Sequence, residues 1–228
     1  MIPRVLIDSA PIPGGGGELR LIRRGDDFWI MLGANALMST RLRGSEEALA
    51  TLACERMEGR PRPAMLIGGL GMGYTLRAAL QALGPGSKVV VSELVPAIIG
   101  WARGPMAHVH GASLDDPRVA IVESDVGDLI AEARGSYDSI LLDVDNGPDA
   151  LSRDTNDRLY DLEGLHRAKA ALRPGGLLAI WSAAPDPAFT RRLAKAGFKV
   201  EEVTVRAHAG RKGAKHMIWL ATAPSNRP

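Results

Sequence analysis

Residues 64–76 have the sequence AMLIGGLGMGYTL, in which a short apolar run leads into closely spaced glycines and then a helical pattern. An apolar run of this length, bounded by Pro63 and the glycines, is typical of a buried parallel strand. The glycines permit positive φ angles and leave no Cβ atoms to obstruct a ligand. A helix over residues 74–83 would direct its free N–H groups at the turn. The stretch predicts the first strand, turn and helix of a nucleotide-binding α/β sheet.

A second strand is predicted over residues 88–93 and ends in Glu93. This carboxylate follows Gly73 by about 20 residues, the separation expected for an acid that binds the ribose hydroxyls. A dinucleotide turn has the pattern G-x-G-x-x-G, whereas Tyr74 stands here at the third glycine position. S-adenosylmethionine has no phosphate and tolerates looser glycine spacing, so the pattern favours this ligand over NAD.

Composition restricts the possible classes of protein. The 228 residues suit one domain, or one domain with a small appendage, and the 46% hydrophobic content supports a substantial core. A net charge of only +2 argues against general polyanion binding. The single Cys54 excludes an intramolecular disulfide and a cysteine metal cluster, and we predict no metal site. We find no signal peptide and no membrane-spanning run, and therefore expect a cytoplasmic protein without a membrane partner.

The N-terminal segment differs from the rest of the chain. Two apolar runs flank Arg24-Gly25-Asp26-Asp27, which is a hairpin signal. We predict that residues 1–44 form a small β-hairpin appendage and that residues 45–228 form the ligand-binding domain. Ser45 is the predicted cap of the helix that opens this second domain.

The remaining pattern alternates strands and helices. The last two predicted strands are joined by a loop rather than a helix, so the final strand should return antiparallel. The predicted fold is α/β, a seven-stranded Rossmann-like sheet with helices on both faces and a C-terminal β-hairpin. The predicted strands beyond residue 93 are 119–123, 139–142, 177–181, 199–205 and 216–221.

Acidic residues follow two of these strands. Asp125 comes just after the third strand, where an acid commonly meets the adenine amino group or, alternatively, caps the next helix. Asp143 leaves the fourth strand, at the edge where open α/β sheets bind ligands. His108 and His110 would point in different directions on a helix, so we expect solvated or capping side chains rather than metal ligands.

Several short motifs carry a resemblance to a known family. They are Ile67-Gly68-Gly69, Thr75-Leu76-Arg77, Ser92-Glu93, Asp115-Asp116-Pro117-Arg118-Val119, Tyr137-Asp138-Ser139-Ile140 and Leu172-Arg173-Pro174-Gly175-Gly176. Residues 65–181 resemble the spermidine-synthase-like branch of the class I S-adenosylmethionine-dependent transferases. The resemblance implies S-adenosylmethionine or its decarboxylated form as the donor, a small-molecule acceptor and a homodimer.

The candidate site residues fall into three groups. The donor-binding candidates are Gly68, Gly69, Gly71, Gly73, Glu93, Leu94, Asp125, Val126 and Asp143. The catalytic candidates are Asp143 and Asp145, which would orient the nucleophile and take its proton. The acceptor-binding candidates are Asn146, Tyr160 and Trp181, although both aromatic residues are also typical of a core.

The sequence departs from the aminopropyltransferase pattern in three places. Members of that family carry an Asp in the glycine turn that holds the donor's ammonium, but residues 68–73 contain no acid. Their Asp-Ser-Ser/Thr-Asp-Pro loop is replaced by Asp-Val-Asp-Asn-Gly-Pro at residues 143–148. Their Tyr-His-Glu cluster has no counterpart in residues 28–44, which lack His and Tyr. The departures favour methyl transfer to a nitrogen or oxygen nucleophile over aminopropyl transfer.

Other functions remain as alternatives. A basic rim at the same sheet edge would repel a polyamine and attract an anionic acceptor. A non-catalytic module that binds an adenosyl ligand is a further hypothesis. A nucleic-acid partner is not expected, because residues 143–148 contain no aromatic residue that could grip an extruded base. The basic rim would consist of Arg206, His208, Arg211, Lys212, Lys215 and His216.

Overall fold

The computed structural model describes residues 2–144, 158–207 and 213–225. Within these residues the chain forms a seven-stranded sheet in the order β10-β11-β9-β8-β5-β6-β7 and a separate four-stranded sheet in the order β1-β2-β3-β4. The large sheet consists of β5 (Ala64–Gly68), β6 (Lys88–Glu93), β7 (Val119–Glu123), β8 (Tyr137–Leu142), β9 (Leu172–Ser182), β10 (Lys199–Arg206) and β11 (Lys215–Thr222). The small sheet consists of β1 (Val5–Pro11), β2 (Glu18–Arg24), β3 (Asp27–Leu32) and β4 (Asn35–Ser39).

The pairing of the strands confirms the predicted fold class. Strands β5 to β9 are mutually parallel, whereas β11 runs antiparallel to both β9 and β10. The order reverses beside β5, so the carboxyl ends of β5, β6 and β8 surround the crevice where ligands bind in such sheets. The described helices are α1 (Gly44–Arg56), α2 (Tyr74–Ala82), α3 (Pro96–Arg103), α4 (Ala107–His110), α5 (Val126–Glu132), α6 (Leu162–Ala171) and α7 (Pro187–Lys195).

The core lies on both faces of the large sheet. Met65 and Ile67 belong to one hydrophobic cluster, while Leu66 between them belongs to the other. Successive side chains of a strand point to opposite faces, so a continuous apolar run suits a strand that is covered on both sides. This explains why the apolar run before the glycines forms β5.

The small N-terminal sheet shares the core of the large one. Leu21 and Phe28 are buried in the same hydrophobic cluster as Met65 and Ile67. The β appendage is therefore present, with four strands rather than one hairpin. The boundary between residues 44 and 45 stays a prediction, since shared burial does not divide the two parts.

Two local expectations differ from the structure. Helix α1 begins at Gly44 with Arg43 at the capping position, and the Ser45 hydroxyl contacts His216 Nδ1 at 2.9 Å instead of capping the helix. Strand β9 begins at Leu172, but its pairing with β8 passes from Leu172 directly to Leu177, so the predicted turn at residues 173–176 is present as an irregularity within the strand. No helix within the described residues has both the length and the hydropathy required to cross a bilayer.

Candidate active site

The glycine turn follows β5 and leads directly into α2. Gly69, Gly71 and Gly73 have φ angles of 87°, 48° and 75°, which favour glycine over other residues. A Cβ atom on Gly69 would lie 2.8 Å from the Asp143 carbonyl oxygen, so the turn passes close to the end of β8. Gly68 instead packs against the side chains of Val126 and Leu142.

The Glu93 carboxylate ties the turn to the end of β6. Its Oε2 accepts a hydrogen bond from the Leu70 amide at 2.9 Å, and its Oε1 accepts one from Val95 at 2.8 Å. Burial raises the pKa of Glu93, and the backbone hydrogen bonds oppose this shift. The Gly71 and Leu94 amides also contribute backbone hydrogen bonds that lower this pKa, so backbone N–H groups surround the carboxylate and fix it at the end of β6.

A cavity of about 130 Å³, called the first cavity, opens over the turn. Asp125 is part of its wall and also caps α5, because its Oδ1 accepts a hydrogen bond from Gly127 N at 2.7 Å. The small sheet closes the opposite side with Leu19, Ile30 and Met38. The predicted residues on its wall are Gly69, Gly71, Glu93, Leu94, Asp125, Val126 and Asp143.

A second cavity of about 240 Å³ adjoins the first. The two cavities share Leu37, Met38, Gly71 and Asp143 on their walls. The second cavity is bounded further by Glu46, Tyr74, Trp181 and His216, which come from α1, α2, β9 and β11. The predicted acceptor residue Trp181 thus lies where a second substrate would meet a ligand in the first cavity.

Asp143 lies at the junction of the two cavities. Its Oδ2 accepts a hydrogen bond from Thr75 Oγ1 at 2.6 Å. Burial raises the pKa of Asp143 to about 6, while the Thr75 hydrogen bond lowers it. A buried carboxylate with a raised pKa is suited to accept a proton near neutral pH.

Sequence reasoning missed Glu46 as a site residue. Burial raises the pKa of Glu46 to about 8, and the charge of Asp143 contributes to this shift. In the sequence Glu46 is one of two acids in the first turn of a helix, a common feature that signals only helix-dipole stabilisation. Its proximity to Asp143 depends on how α1 packs against α2 and β8, which no local pattern contains.

The expectation of solvated or capping histidines agrees with the exposed His108 but is wrong for His110. His110 is 1% exposed, and neither ring nitrogen has a hydrogen-bond partner among the described residues. A Cβ atom on Gly73 would clash with the His110 ring, and this contact adds to the preference for glycine that the φ of 75° already gives. Burial lowers the pKa of His110 to about 4, with a smaller contribution from Arg77. The ring is therefore neutral and packed rather than solvated.

The other predicted residues fall outside the two cavities. Tyr160 is buried in the opposite hydrophobic cluster, where its ring makes an edge contact with Phe189 at 5.6 Å. Asp145 and Asn146 lie outside the described residues, as do His208, Arg211 and Lys212 of the expected basic rim. Arg206 and Lys215 are exposed strand ends that pair with each other across the C-terminal hairpin.

Comparisons with known proteins find relatives whose sequences and fold resemble those of this chain. The chain is 31% identical over 175 residues to a polyamine aminopropyltransferase of Mycobacterium tuberculosis (strain ATCC 25618 / H37Rv), covering 74% of this chain and 31% of that protein. It is 34% identical over 127 residues to polyamine aminopropyltransferase 1 of Streptomyces coelicolor, covering 55% and 23%. Spermidine synthase from Thermotoga maritima superposes with a TM-score of 0.73 at 18% identity, over 97% of this chain and 73% of that one.

The chain has the spermidine-synthase-like form of the class I S-adenosylmethionine-dependent methyltransferase fold. No family model matches the sequence. The chain spans less than half the length of the curated relatives reported above.

The expectation of methyl transfer as the main activity is wrong. The curated relatives are aminopropyltransferases, and the structures with the higher TM-scores are spermidine synthases rather than methyltransferases. The glycine turn lacks the family's acid, but the structure places the carboxyl group of Glu46 on the wall of the neighbouring cavity.

Proposed function

We propose that the chain is a transferase that moves the aminopropyl group of decarboxylated S-adenosylmethionine to a small-molecule amine. The observation that carries the proposal is the position of Asp143, on the walls of both cavities. A group in this position can act on a nucleophile from one cavity that attacks a donor in the other. The names of the curated relatives support the aminopropyl group as the one transferred.

The first cavity is the proposed donor site. Glu93, on the wall of this cavity, is the proposed contact of the ribose, and the backbone of Gly69 and Gly71 lies against the adenosyl group. Asp125, with Leu94 and Val126 beside it, contacts the adenine. The sulfonium of the donor supplies an activated leaving group when it is bound, so alignment should account for most of the acceleration.

The second cavity is the proposed acceptor site. Its described wall contains two carboxyl groups and no Lys or Arg, and burial lowers the pKa of His216, which disfavours a positive charge on this ring. Such a wall favours a cationic amine, in contrast to the basic rim expected from the sequence. Asp143 orients the amine and takes its proton as the nitrogen attacks the carbon beside the sulfonium.

Product analysis tests the proposal. The purified protein is incubated separately with S-adenosylmethionine and with its decarboxylated form, each with a panel of mono-, di- and polyamines. We expect 5′-methylthioadenosine and an aminopropylated amine, detected by mass spectrometry, from the decarboxylated donor only. Formation of S-adenosylhomocysteine, or tight donor binding without any product, would contradict the proposal. The second of these results would favour the non-catalytic module.

Two further expectations stay predictions. A homodimer is expected from the family resemblance, and light scattering of the purified chain would measure its mass. A cytoplasmic location is expected from the composition, and fractionation of cells that express the protein would test it.

A further inference from the structure

Glu46 lies on the wall of the second cavity, and its carboxyl group lacks a hydrogen-bond partner for one of its oxygens among the described residues. The oxygen concerned is Oε2, which is buried. A buried polar atom without a partner costs free energy, and a buried charge costs considerably more. The position of Glu46 in the wall means that a ligand in the second cavity can supply the missing partner.

The charges around Glu46 indicate what kind of ligand this is. Among the described residues, the charges that act on Glu46 come from Asp143 and Glu47, which are both acidic, while Arg43 pairs with Glu47 at 3.7 Å. His216 belongs to the same wall, but burial lowers its pKa. Two acids at one buried site hinder each other's ionisation, and a cation bound beside them removes this conflict.

Asp143 and Glu46 are not equivalent in this pair. Asp143 is held by the Thr75 hydroxyl and also borders the first cavity, which places it beside the reacting centre. Glu46 borders the second cavity alone. A second unpartnered polar atom, Trp181 Nε1, belongs to the same wall, so this wall is incompletely paired at two separate positions.

We propose that Glu46 binds a primary ammonium group in the second cavity. The inference depends on the proposed function for the choice of ligands, because both substrates of that reaction carry an alkylammonium. One source is the end of the donor's aminopropyl chain, and the other is the acceptor amine. In both cases Glu46 positions the substrate, while Asp143 acts on the reacting nitrogen.

Equilibrium binding to matched variants tests the inference and separates the two sources. Glu46→Gln removes the charge at nearly constant volume. The matched control is Glu47→Gln, which makes the same change at the next residue, where Glu47 Oε1 lies 3.7 Å from Arg43 Nε. The probes are 5′-methylthioadenosine, which has no ammonium, decarboxylated S-adenosylmethionine, and 1,4-diaminobutane added to the 5′-methylthioadenosine complex. Calorimetry measures each dissociation constant.

We expect Glu46→Gln to bind 5′-methylthioadenosine as the wild type does. A charged hydrogen bond to an ammonium corresponds to a loss of about 10- to 100-fold in affinity for the ligand that Glu46 holds. A loss confined to the decarboxylated donor assigns the ammonium to the aminopropyl chain, and a loss confined to the diamine assigns it to the acceptor. The Glu47→Gln control should retain wild-type affinity for all three probes.

Proton release supplies a readout that a purely structural role would not change. Burial raises the pKa values of both Glu46 and Asp143, and their charges oppose each other, so this pair retains a proton near neutral pH. Binding of an ammonium should therefore expel a proton from this pair, measured by calorimetry in buffers of different ionisation enthalpy. 5′-Methylthioadenosine should release none by this route, and Glu46→Gln should lose the release seen with the ammonium ligand.

Unchanged affinity of Glu46→Gln for both ammonium ligands would overturn the inference. If that variant does not fold, wild-type protein decides the question, since equal proton release with decarboxylated S-adenosylmethionine, with the diamine and with 5′-methylthioadenosine also overturns it. Turnover is a separate result. Glu46-dependent binding without aminopropyl transfer retains the inference and rejects the proposed function, whereas transfer with Glu46-independent binding does the reverse.

Discussion

The two cavities are built in different ways. The wall of the first cavity includes the glycine turn after β5 and residues at the carboxyl ends of neighbouring strands. The distinguishing polar side chains of the second are Glu46, Tyr74, Trp181 and His216, which are far apart in the sequence. Asp143 belongs to both. A ligand held by a local turn leaves a local pattern in the sequence, whereas a pocket assembled from distant side chains does not.

The largest expected effect is a loss of kcat on substitution of Asp143, where the two cavities meet. Asp143→Asn preserves the shape of the side chain but removes its ability to take a proton. General-base catalysis typically contributes about 10²- to 10⁴-fold, so kcat should fall within that range. The dissociation constant of 5′-methylthioadenosine should change by less than about threefold, because the carboxylate is proposed to act on the nucleophile.

The matched control for this variant is Asp128→Asn, an exposed acid on α5 that should leave kcat unchanged. The wild-type rate should also fall as the pH drops through about 6, since protonated Asp143 cannot accept a proton. Undiminished turnover in Asp143→Asn would remove this residue from the reaction and leave the two cavities without a chemical link.

The next effect concerns the histidine that packs beneath the first cavity's turn. The pKa of His110 in the folded protein is lowered to about 4 from a usual value of 6.5. Between these values the unfolded chain binds the additional proton, so the free energy of unfolding should fall as the pH decreases. The contribution is at most about 1.4 kcal/mol per pH unit within this range, and it is fully present above pH 6.5.

Denaturant unfolding at several pH values measures this contribution. His110→Leu should show a shallower loss of stability between pH 6.5 and about 4 than the wild type does. At pH 8 the free energies of unfolding of the two proteins should differ only because their side chains pack differently, and this difference should not depend on pH. Parallel curves for the two proteins across the acidic range would show that His110 ionises equally in the folded and unfolded states.

A smaller loss of stability and of ligand affinity is expected from a substitution in the glycine turn. Gly69→Ala places a Cβ atom 2.8 Å from the Asp143 carbonyl oxygen, at a residue with φ of 87°. Strain of this kind costs about 1–3 kcal/mol, which should lower the free energy of unfolding and weaken the binding of 5′-methylthioadenosine. Gly84→Ala is the control, because no atom lies within 4 Å of the added carbon. Equal behaviour of the two variants would mean that the turn does not require glycine at position 69.

These contrasts explain how much the sequence could predict. The apolar run before Gly68 and the acid at Glu93 are local signals, so the sheet, the turn and the first cavity were predictable. The confirmed antiparallel C-terminal hairpin followed from the loop between its strands. In each case the information lies within about one strand–turn–helix unit of the chain.

The second cavity was largely unpredictable for a physical reason. Glu46 and Asp143 interact only because α1 packs beside the end of β8, and burial then changes the acidity of both groups. His110 was expected to be solvated because its apolar environment comes from tertiary contacts. Tyr160 and Trp181 looked alike as isolated aromatic residues, yet one is buried in the core and the other forms part of the second cavity's wall.

The smallest expected effect distinguishes packing from binding in the second cavity. Trp181→Phe retains an aromatic ring beside His216, whose ring centroid lies 4.8 Å away, but removes the unpartnered indole N–H. Removal of an unpaired buried donor relieves a desolvation cost and offsets part of the packing lost with the smaller ring, so the net change in the free energy of unfolding should be less than about 1 kcal/mol.

If the indole N–H donates to the neutral nitrogen of the bound amine rather than to its ammonium group, the KM for the amine should rise by about 3- to 10-fold in Trp181→Phe, with the KM for the donor unchanged. Trp29→Phe, in β3 and outside both cavities, should leave both KM values at wild-type level. An unchanged amine KM in Trp181→Phe would restrict Trp181 to packing, and recognition in the second cavity would then rest on the two carboxylates.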